Sequence, residues 1–390
     1  MMKTYIFEDE DGRGKLVLDE EVKVYRILSK RGFLEFFNLP WIIYSDDPLW
    51  VPPIWREYHS FFKKENPFWR HSETDLFIVK RKESCEGRIA VFIDHLFPEE
   101  GGRKTGFFGF LEAVRDIDVW KGLFTVAKQW FKERGVKLVY GPINGRIDMI
   151  SGFLYQGFQY PPSILSSYNP KYYIGFIEKL GFRRAREQLL YRVDLTKSLS
   201  RNLVEIEEKW RIKGVNIRYF NRLRVNKELS WWIPFTMKVF SNHWGYVPVS
   251  YDEVRSRFGI KELRWFIDPH LFIIAERNDE PIGFLWAIPD YNQVIKRFNG
   301  RINMMSFLKF LWFRRYIESG KLHLIGVKED FRGEGLALYM NYKVLLEMKK
   351  RNYRSAEIGW VDAENKASRR VVEKTGAQLY KKYMIYRYSL

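Results

Sequence analysis

The sequence predicts an α/β protein built twice, each domain a twisted mixed sheet flanked by helices. Three observations carry that expectation. A helix-then-strand segment recurs near the end of each half, the strand-like and helix-like stretches follow one another in the same order in both halves, and the strands cluster early rather than alternating evenly with helices. At 390 residues the chain also exceeds one ordinary core.

The recurrence is direct. Phe176-Ile-Glu178-Lys179-Leu-Gly181 and Val371-Val-Glu373-Lys374-Thr-Gly376 stand 195 residues apart, and Tyr191-Arg192 matches Tyr386-Arg387 at the same offset. Each copy reads as a helix stopped by a glycine and followed by a strand that closes its half, which places the domains at 1–195 and 196–390. In the first half, strands are expected at Val22–Leu28, Asp75–Lys80, Arg88–Asp94 and Thr105–Phe110, with a helix at Val119–Gly135. In the second, the order is a strand at Val215–Phe220, helices at Asn226–Ser241 and Ser250–Phe258, and a hairpin of Leu271–Glu276 with Ile282–Ala287 across Arg277–Pro281. An insertion to about Gly320 precedes a strand at Leu322–Val327, a helix at Leu336–Arg351, a strand at Ala356–Trp360, a helix at Lys366–Lys374 and a last strand.

Between strand and helix lies Arg332-Gly333-Glu334-Gly335. Two glycines let a backbone fold with its N–H groups turned inward, and the helix that follows adds its positive end, so the turn reads as a cradle for a pyrophosphate. Gly109 aligns with Gly326 at an offset of 217, which sets the turn against Arg115-Asp116-Ile117-Asp118. Both glycines become aspartates there. Carboxylates repel phosphate, so the first copy is read as degenerate. It is also longer by 22 residues before its last helix, within a stretch from Gly141-Pro-Ile-Asn144 to Tyr168-Asn-Pro170 that reads as a long loop, its Tyr-rich part running from Ile143 to Tyr173.

Composition narrows the class further. One cysteine, Cys85, and six scattered histidines supply no metal-ligand cluster. Acids in Met1 to Gly12 stand where an export signal needs apolar residues, and no apolar run reaches membrane-spanning length, so the chain is expected to be cytoplasmic. The net charge is +18; residues 1–195 hold 30 Lys/Arg against 27 Asp/Glu, residues 196–390 hold 36 against 21. A basic second half suits an anionic cofactor, and it equally suits nucleic acid or an anionic membrane. The aromatic segment Ser306–Ile317 is read either as a lid helix or as a peripheral membrane contact.

Val327 five residues before Arg332-Gly-x-Gly, the flanking strand and helix, Glu357-Ile-Gly-Trp360 through Asn365, and the Glu-Lys-x-Gly helix end together resemble the GCN5-related N-acetyltransferase (GNAT) superfamily, in a tandem-domain bacterial branch. The resemblance implies acetyl-coenzyme A or another acyl-coenzyme A as donor, an amine, small-molecule or peptide, as acceptor, and no metal. It implies pantetheine contacts from the backbone of Ile325 and Val327, pyrophosphate contacts from Arg332, Gly333, Glu334, Gly335, Leu336 and Ala337, and a polar contact from Asn365 with Ser368. The family's usual tyrosine acid falls on Val372, which leaves two alternatives: Tyr380 or Tyr383 on the last strand stands in for it, or the thiolate leaves unassisted. For the base, His323 lies four residues before Val327, on the same face if the strand is regular; Glu357 on the neighbouring strand is the second candidate. Two rival functions share the fold: an aminoacyl-tRNA-dependent transferase of the doubled kind, and a non-catalytic acyl-coenzyme A sensor or scaffold.

Overall fold

The computed structural model describes residues 16–17, 22–146, 150–199, 202–258, 267–301 and 304–390. The acid-rich start, on which the cytoplasmic reading rests, lies outside the described residues. Backbone contacts divide the chain into two compact units, one of residues 1–186, 299–301 and 383–390, the other of 187–298 and 302–382.

In the first unit, β1 (Leu16–Val17), β2 (Val22–Arg26), β3 (Ser72–Arg81), β4 (Ser84–Asp94) and β5 (Thr105–Ala113) run antiparallel, and β6 (Leu138–Gly141) joins β5 in parallel. Two helices unforeseen in the sequence, α1 (Lys30–Ile43) and α2 (Trp55–Phe61), separate β2 from β3. Ser29 starts α1 by accepting from the Gly32 amide at 3.1 Å, and Phe36, Phe37 and Leu39 are buried. The crossover helix α3 (Ile117–Glu133) repeats apolar residues on one face, and Val119, Trp120, Leu123, Phe124, Ala127, Trp130 and Phe131 all enter the core. The Tyr-rich stretch holds β7 (Phe153–Gln156) and, at its end, α4 (Tyr172–Lys179). The four residues of β7 carry too little periodicity to stand out from a loop, yet Phe153 and Tyr173 join the core.

β8 (Arg183–Asp194) leads into the second unit, which contains α5 (Asn202–Ile212), β9 (Val215–Tyr219), α6 (Val225–Phe240), α7 (Tyr251–Phe258), β10 (Phe272–Arg277), β11 (Glu280–Pro289), α8 (Asn292–Ile295), α9 (Met304–Phe313) and β12 (Ser319–Val327). After these come α10 (Leu336–Lys350), β13 (Ser355–Asp362), α11 (Lys366–Glu373) and β14 (Gln378–Ser389). The ladder β9-β10-β11-β12 is antiparallel and β12–β13 parallel, the same plan as the first unit. Asn278 and Asp279, both at positive φ, turn the β10–β11 hairpin between the paired Arg277 and Glu280. One face of α10 packs Leu336, Met340, Val344 and Met348 with Leu285, Leu322 and Ala356 of the sheet.

The expected cut at residue 195 requires correction, because the closing strands are exchanged. Leu189–Asp194 of β8 pairs antiparallel with β13 in the second unit, whereas Tyr386–Ser389 of β14 pairs with β6 in the first. Ladder hydrogen bonds do not read side chains, so two near-copies of one strand fit either sheet and only inward residues choose between them. Leu189, Tyr191 and Val193 enter the second core; Met384 and Tyr386 enter the first.

Candidate active site

The parallel pairing of β12 with β13 runs only from Ser319–Ser355 to Leu322–Ile358. Beyond it, β12 continues along β11 and β13 continues along β8, so the two strands part like a fork. The fork has a cause in the register: Trp286 faces Leu324 and Ala287 faces Leu322, leaving His323 as an extra residue in a bulge. Leu322 and Val327 both face the α10 core, although five residues apart. His323 instead meets Trp286 on the opposite face, ring centroids 5.8 Å apart. The expectation that His323 shares a face with Val327 is therefore overturned, since the bulge inverts strand parity between them.

Just before the fork opens, Lys321 stands in register with Glu357, and Glu357 with Arg192. The Lys321 side chain is fully buried, its Nζ 4.8 Å from the centre of the Trp360 ring. Burial pushes its ammonium down to about 8, while Glu357 favours the charged form and Lys381 opposes it. Lys381 is buried too and is likewise lowered by burial. Neither lysine stood out in the sequence, where a lysine in a strand reads as exposed; the only available signal was its alternation with Gly320 and Leu322.

At the fork's mouth, the glycine turn meets α10. Gly333 and Gly335 adopt φ of +79° and +96°, conformations that suit residues lacking a Cβ, and no side chain caps the helix. Glu334 between them is exposed, and Leu336 is buried at the helix start with Ala337 beside it. Arg332 does not project as a lone cation: its guanidinium donates to the carbonyls of Val327 at 3.2 Å and of Val239 at 3.1 Å, tying the turn to β12 and α6. Lys209 of α5 and Lys213 just after it gather beside the turn. Lys209 donates to the Glu334 carbonyl at 2.8 Å and Lys213 pairs with the Glu334 carboxylate, which is held below its ordinary range by that contact. These two were missed because α5 lies far from the turn in sequence. His243 is also near; burial and then the Arg332 charge lower it below the ordinary imidazole value.

The remaining expected residues divide. Asn365 caps α11, its side chain accepting from the Ser368 amide at 3.0 Å. Ile325 packs against the α10 core. Tyr383 falls in the first unit and its side chain is fully buried. On α6, outside the expected set, Trp231 donates to Glu228 at 2.7 Å and Trp232 packs edge-on against Phe272, Phe284 and Trp286.

The first unit fills the equivalent places from its own chain. Asp116 caps α3, accepting from the Asp118 amide at 2.9 Å and from Arg81 at 2.6 Å. Where β5 and β6 part, the Ile143 amide donates to the Phe108 carbonyl at 2.8 Å and the Asn144 side chain accepts from the Phe110 amide at 2.7 Å. A Cβ on Gly109 would collide with the Ile143 carbonyl. A carboxylate thus occupies the helix end and a loop occupies the fork.

Two like-built units, one fork of which ends at an uncapped helix behind a glycine turn, define a tandem acyltransferase architecture. Residues 236–377 match the acetyltransferase (GNAT) family. The chain is 28% identical over 372 residues to protein YghO of Escherichia coli K12, covering 93% of this chain and 94% of that one. It is 30% identical over 378 residues to the bacterial ceramide synthase of Caulobacter vibrioides NA1000, covering 95% and 98%. Among solved structures it superimposes on a tandem GNAT protein of the clavulanic acid biosynthesis pathway, with a TM-score of 0.54, 10% identity, and 95% and 98% of the two chains covered. The chain belongs to the GNAT family and is an N-acyltransferase; the family draws on acyl-coenzyme A and acts on amines.

Proposed function

We propose that the second unit binds one acyl-coenzyme A and transfers its acyl group to the amine of a long-chain amino alcohol, forming the amide bond that defines a ceramide. The difference between the two forks carries the donor half of this reading: helix end and parted strands are met by the chain's own groups in the first unit and left to the glycine turn in the second. The acceptor half is supported by the name of the Caulobacter relative, which aligns along nearly the whole of both chains.

In this reading the amides from Arg332 to Ala337 receive the pyrophosphate, with Lys209 and Lys213 adding positive charge. The parted backbone at Ile325 and Val327 pairs with the pantetheine arm, and Asn365 and Ser368 bound its other side. The neutral amine attacks the thioester carbon; a C–N bond forms, the C–S bond breaks and the thiolate departs. The amine must shed a proton, which His323 receives, with Glu357 as the second base. The first unit serves structure or acceptor binding.

Purified protein given short- and long-chain acyl-coenzyme A with a long-chain amino alcohol should release free thiol in step with amide detected by mass spectrometry. Thiol release without amide, or amide formed only on short hydrophilic amines, defeats the acceptor assignment. Tight acyl-coenzyme A binding with no turnover over a broad amine panel points to the sensor.

A further inference from the structure

The geometry points to α9 and the turn after it as a docking surface for an anionic phospholipid bilayer. This surface lies outside the fork and stands whichever amine the fork accepts. One side of α9 is anchored: Phe310 is buried with its ring 5.4 Å from that of Tyr291, and Phe313 lies 6.4 Å from Phe298. The other side faces solvent with large apolar side chains. Met305 is 63% exposed, Leu308 58%, Trp312 56% and Tyr316 63%, and steps of three and four residues put them in one stripe. Such a stripe is rare on a surface that meets only water.

The charges choose the partner. Between Lys296 and Ile317 the sequence has six Lys/Arg and no Asp/Glu. Lys309 and Arg315 are exposed within the stripe, Arg315 lying 5.3 Å from the centre of the Trp312 ring, and Arg297 lies 4.7 Å from that of Phe313. Aromatic rings with cations beside them are the composition of a helix that lies in the headgroup layer of an anionic membrane. A second copy of the chain would bring the same cations against these, which argues against a self-paired dimer through this face. Ten residues of helix are too few to span a bilayer, and among the described residues no helix is long and apolar enough to do so. The segment therefore lies on a membrane rather than through it.

Full-length protein should co-sediment with vesicles containing phosphatidylglycerol roughly tenfold more than with pure phosphatidylcholine, and salt should reverse the binding. The pair Leu308→Ser with Trp312→Ala, and separately Lys309→Glu with Arg315→Glu, should abolish it while circular dichroism and thiol release with soluble substrates stay unchanged. Wild-type protein left in the supernatant with anionic vesicles overturns the proposal. So does undiminished binding by both variants, or a dimer in gel filtration that Trp312→Ala converts to monomer.

Discussion

Lys321 and His323 lie two residues apart and carry separate predictions. A lysine lowered by burial from 10.5 to about 8 holds its proton less tightly folded than unfolded. Between those two values the unfolded chain binds a proton that the folded chain does not, so stability rises with pH across that window, by up to about 3 kcal/mol. Lys321→Met should erase that rise: the variant's stability advantage near pH 7 shrinks towards pH 10. Denaturant titrations in which the two proteins differ by a constant amount from pH 7 to 10 would show that the ammonium is not desolvated. His323 is judged by turnover instead. His323→Gln should lower kcat/KM by roughly 10²-fold and remove the acid limb of its pH profile, with acyl-coenzyme A affinity kept. An unchanged profile passes the role to Glu357, for which Glu357→Gln is the parallel measurement.

At the scale of elements, the glycine turn and its degenerate twin invite opposite substitutions. Gly335 holds a φ of +96° at the start of α10, and a Cβ there meets no atom, so Gly335→Val strains the backbone without a clash. Its expected effect is on the donor: KM for acyl-coenzyme A rises about tenfold while kcat changes little, since the amides are displaced from the fork's mouth. Calorimetry showing unaltered affinity would separate the turn from the donor. Asp116→Gly, by contrast, should not create a second site, because Ile143 and Asn144 still hold the first fork. This contrast marks how far the sequence was readable. The strand, turn and helix around Arg332 were legible because each has a local cause in periodicity or glycine. The bulge at His323 was not, since it is set by the pairing of Trp286 with Leu324 across strands. Nor was the burial of Lys321, the latching of Arg332 to Val239, or the arrival of Lys209 and Lys213, all of which come from residues far apart in the chain.

For the molecule as a whole, the exchange of closing strands alters what a truncation does. If each half closed its own sheet, removing residues 383–390 would harm the second unit, where the fork lies. Because β14 pairs with β6, the loss falls on the first: Tyr386 and Met384 leave its core, the Tyr386–Ser389 ladder to Gly141–Leu138 is broken, and the contact of Tyr386 with Glu178 at 3.1 Å disappears. Emptying a core position of a side chain as large as tyrosine costs about 3–5 kcal/mol, comparable with the whole stability of a small domain. Hydrogen exchange on a chain ending at Lys382 should therefore show protection lost from Leu138–Gly141 and Thr105–Ala113. The strands Ser319–Val327 and Ser355–Asp362 should keep theirs, because β8 still borders β13. If the second unit supplies the only donor site, calorimetry on the intact chain gives one acyl-coenzyme A, and the truncated chain still binds one wherever its second unit remains folded. Protection lost first from Ser355–Asp362 would mean that β14, not β8, completes the second sheet.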